Sequence, residues 1–332
     1  MYTRILVPLD GTPVAEGAIE VAICTAAASR AAIDLVLVHE AVAASATEVA
    51  PWNQDRRVTE WEYLDRISRK TSSRTYSHVT HAMLSGDPAT KICKRACDVH
   101  ADLIIMESRT RTGVARALLG SVADKVLQHT GVPVLMLRSK EADKPHTTNA
   151  RPFERILVPV DGSEQSFRVL QSVSDLAHSY NSHIIIIRIV EPVPLPIADV
   201  GPFFALSPST IDLDATALVR DRALHETERV VDYLERLGNT RIEAHVLTKP
   251  SVRSAIAEFA AQNSIDAIAM AVHGRGASRI VVGAIADTVL RRSTLPLLFR
   301  NSLAECSADI CLKEDALTEQ LASLPDPAGR RP

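Results

Sequence analysis

RILVPLDGT, residues 4–12, returns as RILVPVDGS at residues 155–163, an offset of 151. Further along, LLGSVADKVLQHTGVPVLMLR (118–138) returns as VVGAIADTVLRRSTLPLLFR (281–300), with Gly120 on Gly283, Asp124 on Asp287 and Pro133 on Pro296. The offset there has grown to 163, so the second copy carries about twelve extra residues in its middle. A unit of this length is a domain, and the chain is expected to hold two copies of it: residues 1–140 and 153–300, with 141–152 as linker. The segment 301–332 belongs to neither copy. EDALTEQLASL has the pattern of a short amphipathic helix that PDPAGRRP cannot continue, which predicts a loosely ordered tail.

Length agrees with this division, since 332 residues suit two domains better than one. Apolar residues make up 46% but aromatics only 4%, so the cores are built from Ala, Val, Ile and Leu, the usual filling of sheets covered on both faces. A net charge of −3 supplies no general field for nucleic acid or an anionic membrane, and no local basic patch stands out. No apolar run reaches the roughly 18 residues of a membrane span, and a structural motif begins at residue 4, so a cytoplasmic protein is expected. Cys24, Cys93, Cys97, Cys306 and Cys311 show no CxxC spacing and predict free thiols in a reducing compartment. Cys93 and Cys97, four apart and followed by His100, read as small helix residues in the core before they read as a metal or redox pair.

Short, continuous apolar runs mark strands buried on both faces: RILVPL, DLVLVH, DLIIM and PVLML in the first copy, RILVPV, HIIIIRIV, DAIAM and PLLF in the second. SHVTHAML and RIEAHVL alternate, as more exposed edge strands do. Helical patterns separate them, such as ALHETERVVDYLERLGN, with Val230, Val231, Leu234 and Leu237 on one face and Gly238-Asn239 as a stop. The predicted fold is α/β: two tandem, doubly wound, five-stranded parallel sheets of Rossmann-like type, strand order 3-2-1-4-5. Ligands of such sheets lie beyond the strand ends where the order reverses. The loops there are DGTP from Asp10 and ESRTRTG from Glu107 in the first copy, DGSE from Asp161 and AVHGRGAS from Ala271 in the second. Asp10 and Asp161 have two readings, a ligand-binding carboxylate or a turn that caps the next helix, and one residue can do both.

RILVPLDGT, GDPATKI, ADLIIM and LLGSVADKVLQHTGVPVLMLR together resemble the universal stress protein domain, and RILVPVDGS, HGRG and VLRRSTLPLLFR repeat the resemblance in the second copy. It covers nearly all of residues 1–300. The resemblance implies a non-enzymatic stress-response protein, in a family with ATP-binding and non-binding members. Binders carry Gly-x2-Gly-x9-Gly-Ser/Thr, whose backbone amides and final hydroxyl hold the phosphates. In the first copy the leading glycines fall on Glu107 and Thr110, while Gly120 and Ser121 are kept. In the second they fall on Ala271 and Gly274, the closing glycine is Gly283 one residue early, Ala284 replaces the hydroxyl, and Gly276 lies in the shortened loop. Both sites are therefore degenerate, with Asp10, Gly120, Ser121, Asp161, Gly274 and Gly283 as their candidate ATP-binding residues.

The family's backbone contact to the base would fall on Glu40 and Ile189. Arg109, Arg111, Arg116, Arg275 and Arg279 are available to an anion or simply solvated. Two other readings stay open: a nucleotide-free interaction scaffold of the same fold, or a weak ATP hydrolase. Efficient turnover is not expected, since His273 is the single crevice histidine and no Gly-Lys-Ser/Thr, Ser-His-Asp or metal-ligand pattern occurs. The last strand of each copy would be an unprotected edge; the resemblance implies that such edges pair across a dimer, so an internal pseudo-dimer is expected, and a homodimer of chains is compatible with it. The proline-rich insert 191–215, with Phe203 and Phe204, is expected to pack on the sheet.

Overall fold

A computed structural model of the chain describes residues 1–40, 51–108, 120–138, 153–194, 211–272, 289 and 293–301. The first half runs β1 (Arg4–Leu9), α1 (Pro13–Ser29), β2 (Ala32–His39), α2 (Pro51–Ser72), β3 (Val79–Ser85), α3 (Pro88–Asp98), β4 (Leu103–Ser108), α4 (Ser121–His129) and β5 (Val134–Arg138). The second runs β6 (Arg155–Val160), α5 (Glu164–Phe167), α6 (Leu170–Tyr180), β7 (His183–Val190), α7 (Leu213–Arg236), β8 (Ile242–Thr248), α8 (Val252–Gln262), β9 (Ala267–Val272) and β10 (Leu297–Asn301). Every expected strand forms. β3 and β8 are only partly buried along their lengths, as their alternating sequences require of edges.

The strand order is β3-β2-β1-β4-β5-β10-β9-β6-β7-β8, one continuous sheet of ten strands. Each half is parallel with order 3-2-1-4-5, and the two meet where β5 pairs antiparallel with β10. Leu135 faces Leu298 at this seam, with Met136 on Leu297 and Val134 on Phe299 beside them. The two apolar edges thus cover each other within one chain. Because successive residues alternate in direction, Leu135, Leu137 and Leu298 join the core on the side of α1, α2, α6 and α7, while Met136, Leu297 and Phe299 join the core beneath α3, α4 and α8. Both cores run through the seam. On the first side α1 lies against α6, where Thr25 Oγ1 and Tyr180 Oη are 2.6 Å apart and Ser29 Oγ and Ser179 Oγ 2.8 Å. On the other, Asn301 Nδ2 donates to the carbonyls of Leu127 (3.0 Å) and Gln128 (2.8 Å), tying β10 to the end of α4.

Two expectations are adjusted, concerning the insert and the cysteines, and the Gly238-Asn239 stop holds. Residues 213–215 of the insert belong to α7, which Asp212 caps by accepting from Ala215 N (2.9 Å); Phe203 and Phe204 lie outside the described residues. Gly238, at φ 91°, and Asn239 do end the helix, through bonds to Glu235 O and Leu234 O. Of the cysteines, Cys24 is a free thiol and Cys93 forms no disulfide, but Cys97 is disulfide-bonded, to a partner outside the described residues. Cys97 is partly exposed at the end of α3, where its sulfur can be reached from outside the core, which the spacing of the cysteines did not disclose. The tail after residue 301 lies outside the described residues.

Candidate functional site

β1 lies between β2 and β4, and β6 between β7 and β9, so the order reverses beside β1 and beside β6. Each half therefore has a crevice at the carboxyl ends of these strands. The turns entering them are nearly superposable in their bonding. Asp10 Oδ1 accepts from Thr12 N (3.0 Å) and Thr12 Oγ1 (2.5 Å); Asp161 Oδ1 accepts from Ser163 N (2.9 Å) and Ser163 Oγ (2.5 Å). Gly11 at φ 80° and Gly162 at φ 78° occupy the left-handed region that a side chain makes costly, which is why both turns are Asp-Gly. Thr12 and Ser163 then cap the following helices, accepting from Ala15 N (3.4 Å) and Ser166 N (3.1 Å). The turn-and-cap role thus engages one oxygen of each aspartate. Burial works to raise the Asp161 carboxyl, but the hydrogen bonds from Ser163 and Ser166 and the charge of Arg188 outweigh it, so its pKa is lowered.

α4 leads from the crevice end of the sheet back to the start of β5, so its first residues lie on the ligand side. Gly120 takes the cap position in extended backbone (φ −60°, ψ 149°) with Ser121 next, and among the described residues no side chain caps the helix. Backbone N–H groups at such an end lack partners within the helix and carry the positive end of its dipole. A glycine cap offers them no side-chain acceptor, whereas the aspartate cap of α3 accepts from Thr90 N at Asp87 Oδ2 (3.0 Å). Asp124, in the first turn of α4, has its pKa raised by burial. Glu107 is the penultimate residue of β4 and half-buried at the mouth.

Of the other sequence candidates, Glu40 follows β2 and is exposed, and Ile189 is buried in β7. They are not counterparts. β1 pairs with β2 from Arg4↔Ala32 and β6 with β7 from Arg155↔His183, so Glu40 corresponds to Glu191. Ala271 lies in β9. Thr110, Arg109, Arg111, Arg116, His273, Gly274, Arg275, Gly276, Arg279, Gly283 and Ala284 lie outside the described residues.

Two residues that sequence reading passed over separate the crevices. Arg188 on β7 pairs in register with Val160, at the tip of β6, where the first half has the buried Leu37 opposite Leu9. α2 buries Leu64, Ile67 and Thr71 and α7 buries Thr227, Val230 and Leu234 with the same spacing, which sets Tyr63 of the first half on Glu226 of the second. Glu226 Oε2 is 3.6 Å from Arg188 Nη2, and its Oε1 accepts from Arg222 Nε (3.1 Å). A Cβ built on Gly162 would lie 2.2 Å from Glu226 Oε2, so this carboxylate rests on the turn of the second crevice. Over Gly11 no described atom comes within 4 Å of the same position. The Tyr63 hydroxyl is buried, and its pKa is raised by burial first and by the carboxylates of Glu16 and Asp10. The one available signal was a lone arginine inside the apolar run HIIIIRIV.

A cavity of about 360 Å³ lies elsewhere, between α8 and the amino ends of β9 and β10, lined by Ile256, Ala260, Ile265 and Leu295. Being at the opposite end of the strands, it is separate from both crevices. Among the described residues no group of three His, Cys, Asp or Glu is placed to hold a metal ion, and no helix is long and apolar enough to cross a membrane.

The sequence profile described as the universal stress protein family matches residues 1–138 and again 152–299. Universal stress protein Rv2623 of Mycobacterium tuberculosis is 26% identical over 308 residues, covering 89% of this chain and 95% of that protein. Universal stress protein Rv2005c of the same species is 25% identical over 202 residues, 60% of this chain, and the match spans 61% of the relative's own length. A crystal structure of a universal stress protein from Archaeoglobus fulgidus superposes with a TM-score of 0.65 at 20% identity, covering 90% of this chain and 98% of that one, which shows a shared fold.

Proposed function

We propose that this chain, which belongs to the universal stress protein family, is a cytoplasmic stress-response protein that holds ATP or a related nucleotide in its first crevice without turning it over efficiently. The observation that supports this most is the glycine-capped start of α4 at Gly120-Ser121, at the same end of the sheet as the Asp10-Gly11 turn, over which no described atom lies. There the N–H groups of the first helical turn and the Ser121 hydroxyl suit a phosphate. The site is degenerate, since Glu107 replaces a leading glycine and Gly274 and Gly283 of the second copy sit in a loop one residue short. In the same reading, residues 1–140 and 153–300 are the two domains and 141–152 their linker, the two copies form an internal pseudo-dimer, and a homodimer of chains is compatible with it. Glu107 is also what favours the second reading, a scaffold of the same fold acting through protein contacts, because a carboxylate at the mouth repels a triphosphate.

The test is to denature freshly purified protein and identify released nucleotide by mass, with its stoichiometry. ATP or ADP near one per chain is expected, and Ser121→Ala is expected to weaken rebinding about tenfold by removing a hydrogen bond to a charged group. Protein that is empty and shows no thermal shift with millimolar ATP and magnesium rejects this reading in favour of the scaffold.

A further inference from the structure

We infer that the second crevice is closed by a carboxylate of the protein itself: Glu226, held between Arg188 and Arg222, occupies the space over the Asp161-Gly162 turn, and its removal creates a second nucleotide site. The inference rests on the reading of the crevices as nucleotide sites and adds the rule by which the chain uses them unequally.

The geometry has three parts. Glu226 Oε2 stands so close to Gly162 that even a methyl group there would meet it at 2.2 Å, leaving no room for a ligand atom against that turn. The carboxylate is held in place, with Arg222 Nε bonded to Oε1 at 3.1 Å and Arg188 Nη2 at 3.6 Å from Oε2. Arg188 is also incompletely satisfied: its Nε is buried and has no hydrogen-bond partner among the described residues. A buried guanidinium donor without an acceptor is costly, and the ion pair with Glu226 compensates it only by charge. At the tip of β6, then, a cation faces the crevice and an internal anion sits where an external one would otherwise be drawn. The first crevice has neither charge at these places, since Leu37 and Tyr63 replace Arg188 and Glu226 and the space above Gly11 is clear of described atoms. Freed of Glu226, Arg188 would attract a phosphate or other anionic group by bidentate hydrogen bonding.

The experiment counts ATP bound per full-length chain at saturation, by equilibrium dialysis, for the native protein, Glu226→Ala and Glu226→Tyr. The tyrosine variant introduces the residue the first half uses and keeps the helix surface filled, so that one of the two is expected to fold, as checked by thermal melting. The count is expected to rise by one in the variants, from one to two, and to fall back when Arg188→Ala is added. The extra site should persist in a Ser121→Ala background, which places it outside the first crevice. An unchanged count in a folded variant, or a native protein that already holds two nucleotides, overturns the inference. A native count of zero that becomes one in Glu226→Ala rejects nucleotide binding by the first crevice while upholding closure of the second by Glu226. Zero in all variants rejects both.

Discussion

The two crevices share a backbone and differ in what fills them. Their entry turns have glycine φ values of 80° and 78° and the same pair of bonds to an aspartate oxygen. Above those turns one half places Leu37 and Tyr63 and the other Arg188 and Glu226. The turn is constrained because a left-handed residue and a helix start each require specific groups. The lining is free to change because any side chains that satisfy one another will pack. Likeness of fold therefore says little about likeness of ligand, even between two halves of one chain.

The seam is where the halves should behave alike, and it carries the largest expected effect. Leu135 and Leu298 face each other at the antiparallel pair and are fully buried. Leu135→Ala and Leu298→Ala are each expected to cost roughly 2–5 kcal/mol in denaturant unfolding, with the double variant less than additive because the two share one cavity. Unequal costs would show that the approximate symmetry stops at the backbone even here.

The crevices should then behave differently. Arg188→Leu alone leaves Glu226 with only the exposed Arg222 and is expected to cost about 1–2 kcal/mol for a half-buried, underpaired charge. Arg188→Leu with Glu226→Tyr copies the first crevice and should recover most of it in the same unfolding assay; no recovery would mean that the surrounding packing sets the difference. At the turns, Gly11→Ala and Gly162→Ala both place a side chain in the left-handed region, at roughly 1–2 kcal/mol. Gly162→Ala is expected to cost more, because its Cβ meets Glu226, and that excess should vanish in a Glu226→Ala background.

The smallest effect is in acid. The Asp161 pKa is lowered in the folded protein, so ionised Asp161 stabilises above the unfolded value of about 3.9, and this contribution is lost as pH falls through the folded pKa. Melting temperatures followed from pH 5 downward should decline less steeply for Asp161→Asn than for the native chain; an unchanged acid limb would show that the turn bonds do not depend on charge.

Repetition of RILVPLDGT, the apolar runs and the Asp-Gly turns were legible from the sequence, because each is a local pattern whose period or backbone demand acts within a few residues. The helix start at Gly120 follows from those patterns, whereas the strand order is taken from the common doubly wound type and the pairing of the two edge strands is implied by the family resemblance. Glu226 was not legible in this way. Its distance from Gly162 along the chain is large, and it looks like one more charge on a solvated helix face. Only the packing of α7 on β7, through Val230 and Leu234, turns that residue toward the turn and brings it to Arg188. The elements and their repetition are set by near neighbours along the chain and are readable there. Which turn has a carboxylate resting on it depends on side chains brought together from separate elements by the burial of others.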